Sequence, residues 1–217
     1  MAIELYVFPP SPRAFKVMVT ANHLGINPTL RFLDLRKGEQ KAAGYAVLNP
    51  NLRMPTLRDG DDVIWESEAI LQYLALKNPA SGLLPANERA RLAVTQWQFW
   101  NLAHWDPACA VFAFEYVAKR FVRSGAEPDM AAIAKGTEVF HRVASVLEGQ
   151  LKGKSFVVGD TLTLADFALG AAMTLAEAAH LPLEPYDAIK RWRTTLAALP
   201  AWGQTLAQGQ EMMVKAA

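Results

Sequence analysis

An α/β layer followed by an all-helical half is the fold class that this sequence predicts. Three observations predict it. A strand–helix–strand run fills the first 35 residues. An Asp59-Gly60 turn between two short apolar stretches marks a hairpin, and a helical stretch follows it directly. Beyond a Pro- and Gly-rich stretch at residues 79–86, every periodic segment has helical spacing. At 217 residues the chain can form two small domains, each able to bury a core. The expected division is residues 1–78, a linker at 79–86, and residues 87–217.

Taken in order, Ile3–Phe8 reads as a buried strand that ends at Pro9-Pro10-Ser11-Pro12. Arg13–Leu24 carries Phe15, Met18, Val19 and Ala21 at helical spacing and stops at Gly25. Thr29–Leu35 is a second strand, which makes a parallel βαβ unit with the first. Arg36–Leu48 is polar and reads as a loop with a short helix. Thr56–Arg58 folds back on Val63–Trp65 across the Asp-Gly turn, and Ser67–Lys77 is the next helix. The resulting order, β-α-β-α-β-β-α, is that of a thioredoxin-like domain. In the second half Asn87 caps a helix running to about Ser124, with a kink expected at Pro107. Further helices are expected from Pro128-Asp129 to about Leu151, over Leu164–Ala179, over Asp187–Leu199 and after Pro200. Thr163-Leu164-Ala165-Asp166 is a capping box, and losing either of its polar side chains should cost about 1 kcal/mol.

Composition excludes several function classes. A net charge of +1 gives no electrostatic basis for a nucleic-acid or membrane partner. No apolar stretch reaches the roughly 20 residues that span a bilayer, and the first residues lack the basic start and cleavage site of a signal peptide. The single cysteine, Cys109, excludes an internal disulfide and a CxxC redox pair and suits a cytoplasmic setting. The four histidines show no metal-ligand spacing, so no metal is expected. No GxSxG, P-loop, GxGxxG or HExxH motif occurs.

The chemistry concentrates around Pro55. A proline cannot donate a ladder hydrogen bond and belongs at a strand's mouth. Met54-Pro55 there is expected to be cis, with the Met54 backbone facing outward as an edge for an extended peptide. After the hairpin, Glu66 and Ser67 open a helix, where a carboxylate, a hydroxyl and free N–H groups suit an amino-acid head group. Ser11 lies just past the first strand and opens the first helix, a position that caps the helix and also favours an anion. Together these residues describe a receptor for a small peptide with a free amino-acid end.

The pattern Asn49-Pro50-Asn51-Leu52-Arg53-Met54-Pro55-Thr56-Leu57, then Asp59-Gly60-Asp61, then Glu66-Ser67, resembles the glutathione-binding half of the cytosolic glutathione transferases. The resemblance covers nearly the whole chain. Ser11-Pro12-Arg13-Ala14-Phe15-Lys16-Val17 is similar to the serine-type signature of that superfamily, in a bacterial-type, theta- or phi-like form. The resemblance implies glutathione as co-substrate, with Ser11 donating its hydroxyl to the glutathione sulfur. It implies that Ser67 holds the γ-glutamyl carboxylate, Glu66 faces the ammonium, Met54 and Pro55 pair with the peptide's middle, and Gln40 and Arg53 bind the glycine carboxylate. Tyr6 is the rival to Ser11, but alternation along the strand turns it away from the site. Trp105, Phe112 and Tyr116 form an aromatic stripe that is core by its spacing. By the resemblance they border a pocket for a hydrophobic electrophile.

The implied function is conjugation of the glutathione thiolate to hydrophobic electrophiles by a cytoplasmic homodimer. Peroxide or disulfide reduction at the same site, and a non-catalytic ligand-binding or scaffold role, are the other readings. A maleylacetoacetate isomerase lacks its Ser-Ser-Cys segment here.

Overall fold

A computed structural model describes residues 3–122 and 125–216. Strand β1 (Glu4–Val7) pairs in parallel with β2 (Thr29–Phe32), and helix α1 (Pro12–His23) connects them. On its other side β1 pairs antiparallel with β3 (Thr56–Asp59), which turns through Gly60 into β4 (Asp62–Trp65). The turn needs a residue that accepts positive φ, and Gly60 sits at φ 64°. The sheet order is therefore β2-β1-β3-β4. Between β2 and β3 lie a single 3-10 turn (Glu39–Lys41) and the short helix α2 (Ala43–Ala46). Helix α3 (Ser67–Lys77) follows the hairpin over the range its sequence predicts. The α/β part of the fold class is thus the expected thioredoxin-like layer.

Strand β2 is shorter than its apolar run. The Leu33 N–H still bonds Val7 O at 2.9 Å, but the chain then turns at the buried Asp34. Its carboxylate accepts from the Arg36 backbone N–H, Nε and Nη2, and Glu39 accepts from the Asp34 N–H at 2.7 Å. The Arg36 guanidinium holds the Asp34 carboxyl down at about 2. This closed turn sets the start of the Glu39–Lys41 segment.

The chain forms two compact units. One comprises the described residues up to Leu84 together with those from Ala198 onward, and the other is Pro85–Ala197. The last helix, α10 (Pro200–Lys215), thus belongs with the α/β layer, whereas the sequence division at 87–217 groups it with the helices before it. The physical reason is its contact with α1. Trp202 meets Phe15 edge-on with ring centroids 4.6 Å apart, and the Asn22 amide donates to Thr205 Oγ1 at 2.7 Å and Gln208 Oε1 at 2.8 Å. Gly209 faces Pro9, and a Cβ there would lie 3.2 Å from the Pro9 Cβ.

The second unit is helical throughout its described elements. Helices α4 (Glu88–Trp100), α5 (Asp106–Phe112) and α6 (Lys119–Val122) are continuous through two wider π-helical turns, Asn101–Trp105 and Ala113–Ala118. The first of these turns immediately precedes Pro107. A proline there removes one N–H and crowds the carbonyl four residues back, and widening the helix absorbs both defects. Ser124, where the sequence places the helix end, lies outside the described residues. Helix α7 spans Met130–Leu151, and α8 (Leu164–Gly170) tightens into a 3-10 stretch, Ala171–Leu175. The Thr174 hydroxyl bonds Ala171 O in that stretch at 2.7 Å. Helix α9 is Asp187–Ala197.

Asp166 organises this unit. Its carboxylate, wholly buried, accepts from the N–H groups of Val157 and Thr163, from Thr163 Oγ1 and from Trp192 Nε1, all within 3.2 Å. The capping box of α8 is therefore also the tie between α8, α9 and the loop at Val157. Burial pushes the Asp166 carboxyl up, against the pull of these donors. A residue with four such bonds should cost well above the roughly 1 kcal/mol of an ordinary cap.

Candidate functional site

Strand register brings the expected site segments to one end of the sheet. Phe32 lies opposite Val7, Thr56 opposite Tyr6, and Trp65 opposite Thr56. Three chain segments therefore leave the sheet at the same end: Ser11 after β1, the Gln40 segment after β2, and Glu66-Ser67 after β4. Met54-Pro55 enters β3 there. It is the carboxyl end of the parallel pair, where α/β sheets bind ligands.

Ser11 is the N-cap of α1. Its Oγ accepts from the Arg13 N–H at 3.2 Å, and its carbonyl accepts from Phe15. An accepting oxygen keeps its proton, and among the described residues the Ser11 hydroxyl has no protein acceptor. No acidic residue occupies the first turn of α1, so the positive end of the helix is not neutralised there. Tyr6 is placed differently. Its hydroxyl bonds Glu4 at 3.4 Å and its ring packs on Tyr45.

The loop that carries Met54 is held from beneath. Tyr45 donates its hydroxyl to Arg53 O at 2.6 Å, and the Asn49 amide donates to the same oxygen at 2.8 Å. Thr56 Oγ1 lies 2.7 Å from the Tyr45 oxygen and accepts from Asn49 at 3.2 Å. Because Tyr45 gives its one proton to Arg53, Thr56 donates to Tyr45, and the three buried side chains form a closed set. Burial pushes the Tyr45 phenol above its ordinary pKa, which keeps it a donor at neutral pH. Asn49 Oδ1 also caps the Asn51 N–H at 3.0 Å. With the loop pinned in this way, Arg53 is exposed, Met54 half-buried and Pro55 buried, and the Met54–Pro55 peptide is cis.

Two non-glycine residues here occupy positive φ, Leu52 at 56° and Glu66 at 70°. Glu66 combines this with ψ 118°, outside the regions that L-residues populate. Such strain persists only where surrounding structure imposes it, and it clusters at ligand sites. Helix α3 begins directly after it with no side-chain cap. Ser67 is buried, and its hydroxyl donates to Glu68 Oε2 at 2.6 Å. Glu68 in turn accepts from Lys16 Nζ at 2.8 Å, with both side chains almost wholly buried. The sequence reading missed Glu68 entirely and saw Lys16 only as the basic residue following Ser11. Gln40 is half-buried, and its Oε1 is buried without a hydrogen-bond partner.

The aromatic stripe needs correcting. Trp105 and Phe112 are 0% and 2% exposed and belong to the core of the helical unit. Trp105 Nε1 donates to Leu169 O at 3.0 Å, and both rings pack on Phe140. Neither offers a surface to a second substrate. Only Tyr116 is half-buried, its ring against His180. Burial pushes the Cys109 thiol well up, which makes it an inert apolar side chain. Among the described residues no cluster of three or more His, Cys, Asp or Glu could hold a metal ion. No described helix is long and apolar enough to cross a membrane.

Comparison with known proteins agrees with this geometry. Residues 1–76 match the family model for the N-terminal domain of glutathione S-transferases, and residues 104–200 match that for the C-terminal domain. The chain is 33% identical to glutathione S-transferase 3 of Zea mays over 213 residues, covering 94% of this chain and 93% of that protein. It is 29% identical to glutathione S-transferase D7 of Drosophila melanogaster, covering 96% and 91%. Among solved structures it superposes on poplar glutathione transferase F1 with a TM-score of 0.87 at 21% identity, over 97% and 99% of the two chains. A glutathione S-transferase of Pseudomonas fluorescens gives 0.82 at 27% identity, over 93% and 97%. The chain belongs to the glutathione S-transferase family.

The clamp on Arg53 O makes an ordered prediction. Asn49→Ala should lower stability by about 1–3 kcal/mol, because it strips bonds from the Arg53 carbonyl and from the buried Thr56 hydroxyl. Tyr45→Phe should cost less, about 0.5–1.5 kcal/mol, since Asn49 still serves that carbonyl. Denaturant midpoints check the order, and a Tyr45→Phe loss equal to or larger than that of Asn49→Ala would break the account.

Proposed function

We propose that this chain conjugates the thiolate of glutathione to hydrophobic electrophiles, and that Ser11 is its catalytic residue. The observation that supports this best is the Ser11 hydroxyl, which opens α1 with its oxygen engaged by Arg13 and its proton without a protein acceptor. A thiol titrates near about 8.5, and lowering it by roughly two units takes about 2.7 kcal/mol of preference for the thiolate. A hydrogen bond to a charged group supplies about 1.5–3 kcal/mol, and a helix terminus adds up to about 1 kcal/mol. Ser11 thus acts as a donor to an anion, in the serine-type manner. Attack on carbon then needs only orientation and a low thiol pKa.

Glutathione would lie along the end of the sheet. Its γ-glutamyl carboxylate meets the uncapped N-terminus of α3 at the Ser67 N–H, and its ammonium meets Glu66. Its middle residue pairs with the Met54 backbone beside Pro55, and its glycine carboxylate reaches Gln40 and Arg53. The exposed guanidinium of Arg53 supports that last assignment, since a guanidinium can grip a carboxylate with two bonds. Masking electrophiles in this way is a detoxifying chemistry suited to a cytoplasmic enzyme. A homodimer is also proposed, on the two large apolar side chains that α4 exposes two turns apart, Leu92 and Phe99.

Ser11→Ala should raise the pKa of bound glutathione by about one unit or more while leaving its affinity nearly unchanged. Ultraviolet titration of the thiolate reads this directly, and an unchanged curve would assign the role to another donor. Arg53→Ala should weaken glutathione but not glutathione amidated at its glycine. An equal further penalty from amidation in wild type and variant would remove Arg53 from that carboxylate. Sedimentation at micromolar concentration should give twice the chain mass, and a monomer mass would overturn the dimer.

A further inference from the structure

Gly209 stands inside the last helix, where nothing about helix formation asks for it. A glycine within a helix weakens it relative to alanine, and α10 carries two, Gly203 and Gly209. Their surroundings differ. A Cβ on Gly203 would meet nothing within 4 Å, whereas one on Gly209 would lie 3.2 Å from the Pro9 Cβ. Carbon atoms settle at about 3.5–4.0 Å from one another, so α10 approaches Pro9 more closely than any side chain at position 209 would comfortably allow. Helical spacing puts Trp202, Thr205 and Gly209 on one face of α10. Trp202 and Thr205 hold that face to α1 through the Phe15 ring and the Asn22 amide. Gly209 meets the turn that leads into α1.

That turn is made of two prolines. The Ser11 N–H donates to Phe8 O at 2.9 Å across Pro9 and Pro10, and among the described residues only the Met54–Pro55 peptide is cis. A trans proline in the third place of a hydrogen-bonded turn crowds the residue before it and disfavours the turn. The local sequence therefore supports this turn weakly, and a contact from outside strengthens it. Ser11 is both the last residue of the turn and the N-cap of α1. A displacement of Pro9 is thus passed directly to the Ser11 hydroxyl.

We propose that Gly209 is a positioning residue for Ser11: its missing side chain lets α10 seat on Pro9 and hold the Phe8–Ser11 turn, and with it the hydroxyl, in place. The inference rests on the role proposed above for Ser11 and adds to it a residue from the other end of the chain. A hydrogen bond weakens steeply as its distance and angle degrade. Moving the turn by a few tenths of an ångström therefore costs thiolate stabilisation while the segments assigned to the rest of glutathione stay where they are.

The test compares Gly209→Ala with Gly203→Ala in the full chain. Gly203→Ala should raise the denaturant midpoint, because it adds a better helix former in open space, and should leave bound glutathione and turnover unchanged. Gly209→Ala should raise the pKa of bound glutathione by about half a unit and lower kcat about threefold below that pKa. Its dissociation constant for glutathione should stay within about twofold of wild type, since no assigned contact to the peptide is touched. In a Ser11→Ala background Gly209→Ala should shift the thiolate curve no further, because the donor it places is gone. Pro9→Gly removes the crowded atom, so the Gly209→Ala shift should vanish in that background too. An unchanged pKa in Gly209→Ala, or the same shift with and without Ser11 or Pro9, would overturn the inference. A Gly209→Ala chain that loses its fold, or loses stability with an unchanged pKa, would make the contact one of packing alone and overturn it as well. If Ser11→Ala itself leaves the thiolate curve unchanged, the role of Ser11 falls first, and the inference with it.

Discussion

The carbonyl of Arg53 is the point on which the ligand-facing half of this molecule depends. The chain must leave α2, reverse through Leu52 at positive φ, and enter β3 with the Met54 backbone unsheathed. A backbone group in such a turn would ordinarily be solvated or lost to a competing conformation. Here the carbonyl instead takes two donors, from Tyr45 and Asn49, and Thr56 closes the set. Tyr45 lies on α2 and Thr56 in β3, so the clamp ties the irregular segment to the sheet on one side and to a helix on the other. The exposed Arg53 and the half-buried Met54 can then face a ligand without the loop sampling other arrangements. Preorganisation of this kind lowers the ordering cost of binding an extended peptide.

A second constraint lies beneath the other end of the site. A buried ion pair contributes little net stability, because desolvating both partners offsets their attraction. Lys16 and Glu68 are therefore poorly explained as a device for holding α1 to α3, which already share an apolar contact. What the pair does supply is a buried partner for the Ser67 hydroxyl, beside a strained Glu66 and an uncapped helix. The two ends of the site thus work differently. In the site proposed for glutathione, the peptide's middle and glycine end would meet a backbone edge and a guanidinium, and its amino-acid head the uncapped start of α3.

Much of the architecture was legible in local pattern. The helix Ser67–Lys77 matches its predicted range because the Asp59-Gly60 turn and the apolar spacing both constrain it. The cis Met54–Pro55 bond followed from a proline at a strand's mouth, and the Asp166 box from its four-residue motif. The features that escaped are those made by residues distant in sequence. Lys16 and Glu68 are 52 residues apart, and nothing at either position announces the other. Tyr45 reads as one aromatic in a polar loop, and its role appears only once that loop is folded under Arg53. Trp105 and Phe112 were assigned to a pocket because a helical stripe shows which face is buried but not whether a ligand or Phe140 covers it. Helix α10 failed for the same reason. Its amphipathic pattern predicts a partner, and only the contacts of Trp202, Thr205 and Gln208 reveal that the partner is α1.

That placement of α10 has a consequence for synthesis. Chains emerge from the ribosome amino end first, and domains fold as they become complete. Phe15 and Asn22 belong to the first helix made, yet the ring and the side-chain oxygens that cover them are among the last to leave the exit tunnel. The whole helical unit intervenes. Through most of translation the nascent α/β layer therefore carries an uncovered face on α1, next to the Pro9 turn that leads into Ser11. The first unit to appear is the last to be finished, and a ribosome stalled short of Pro200 would leave it open on the side that carries Ser11.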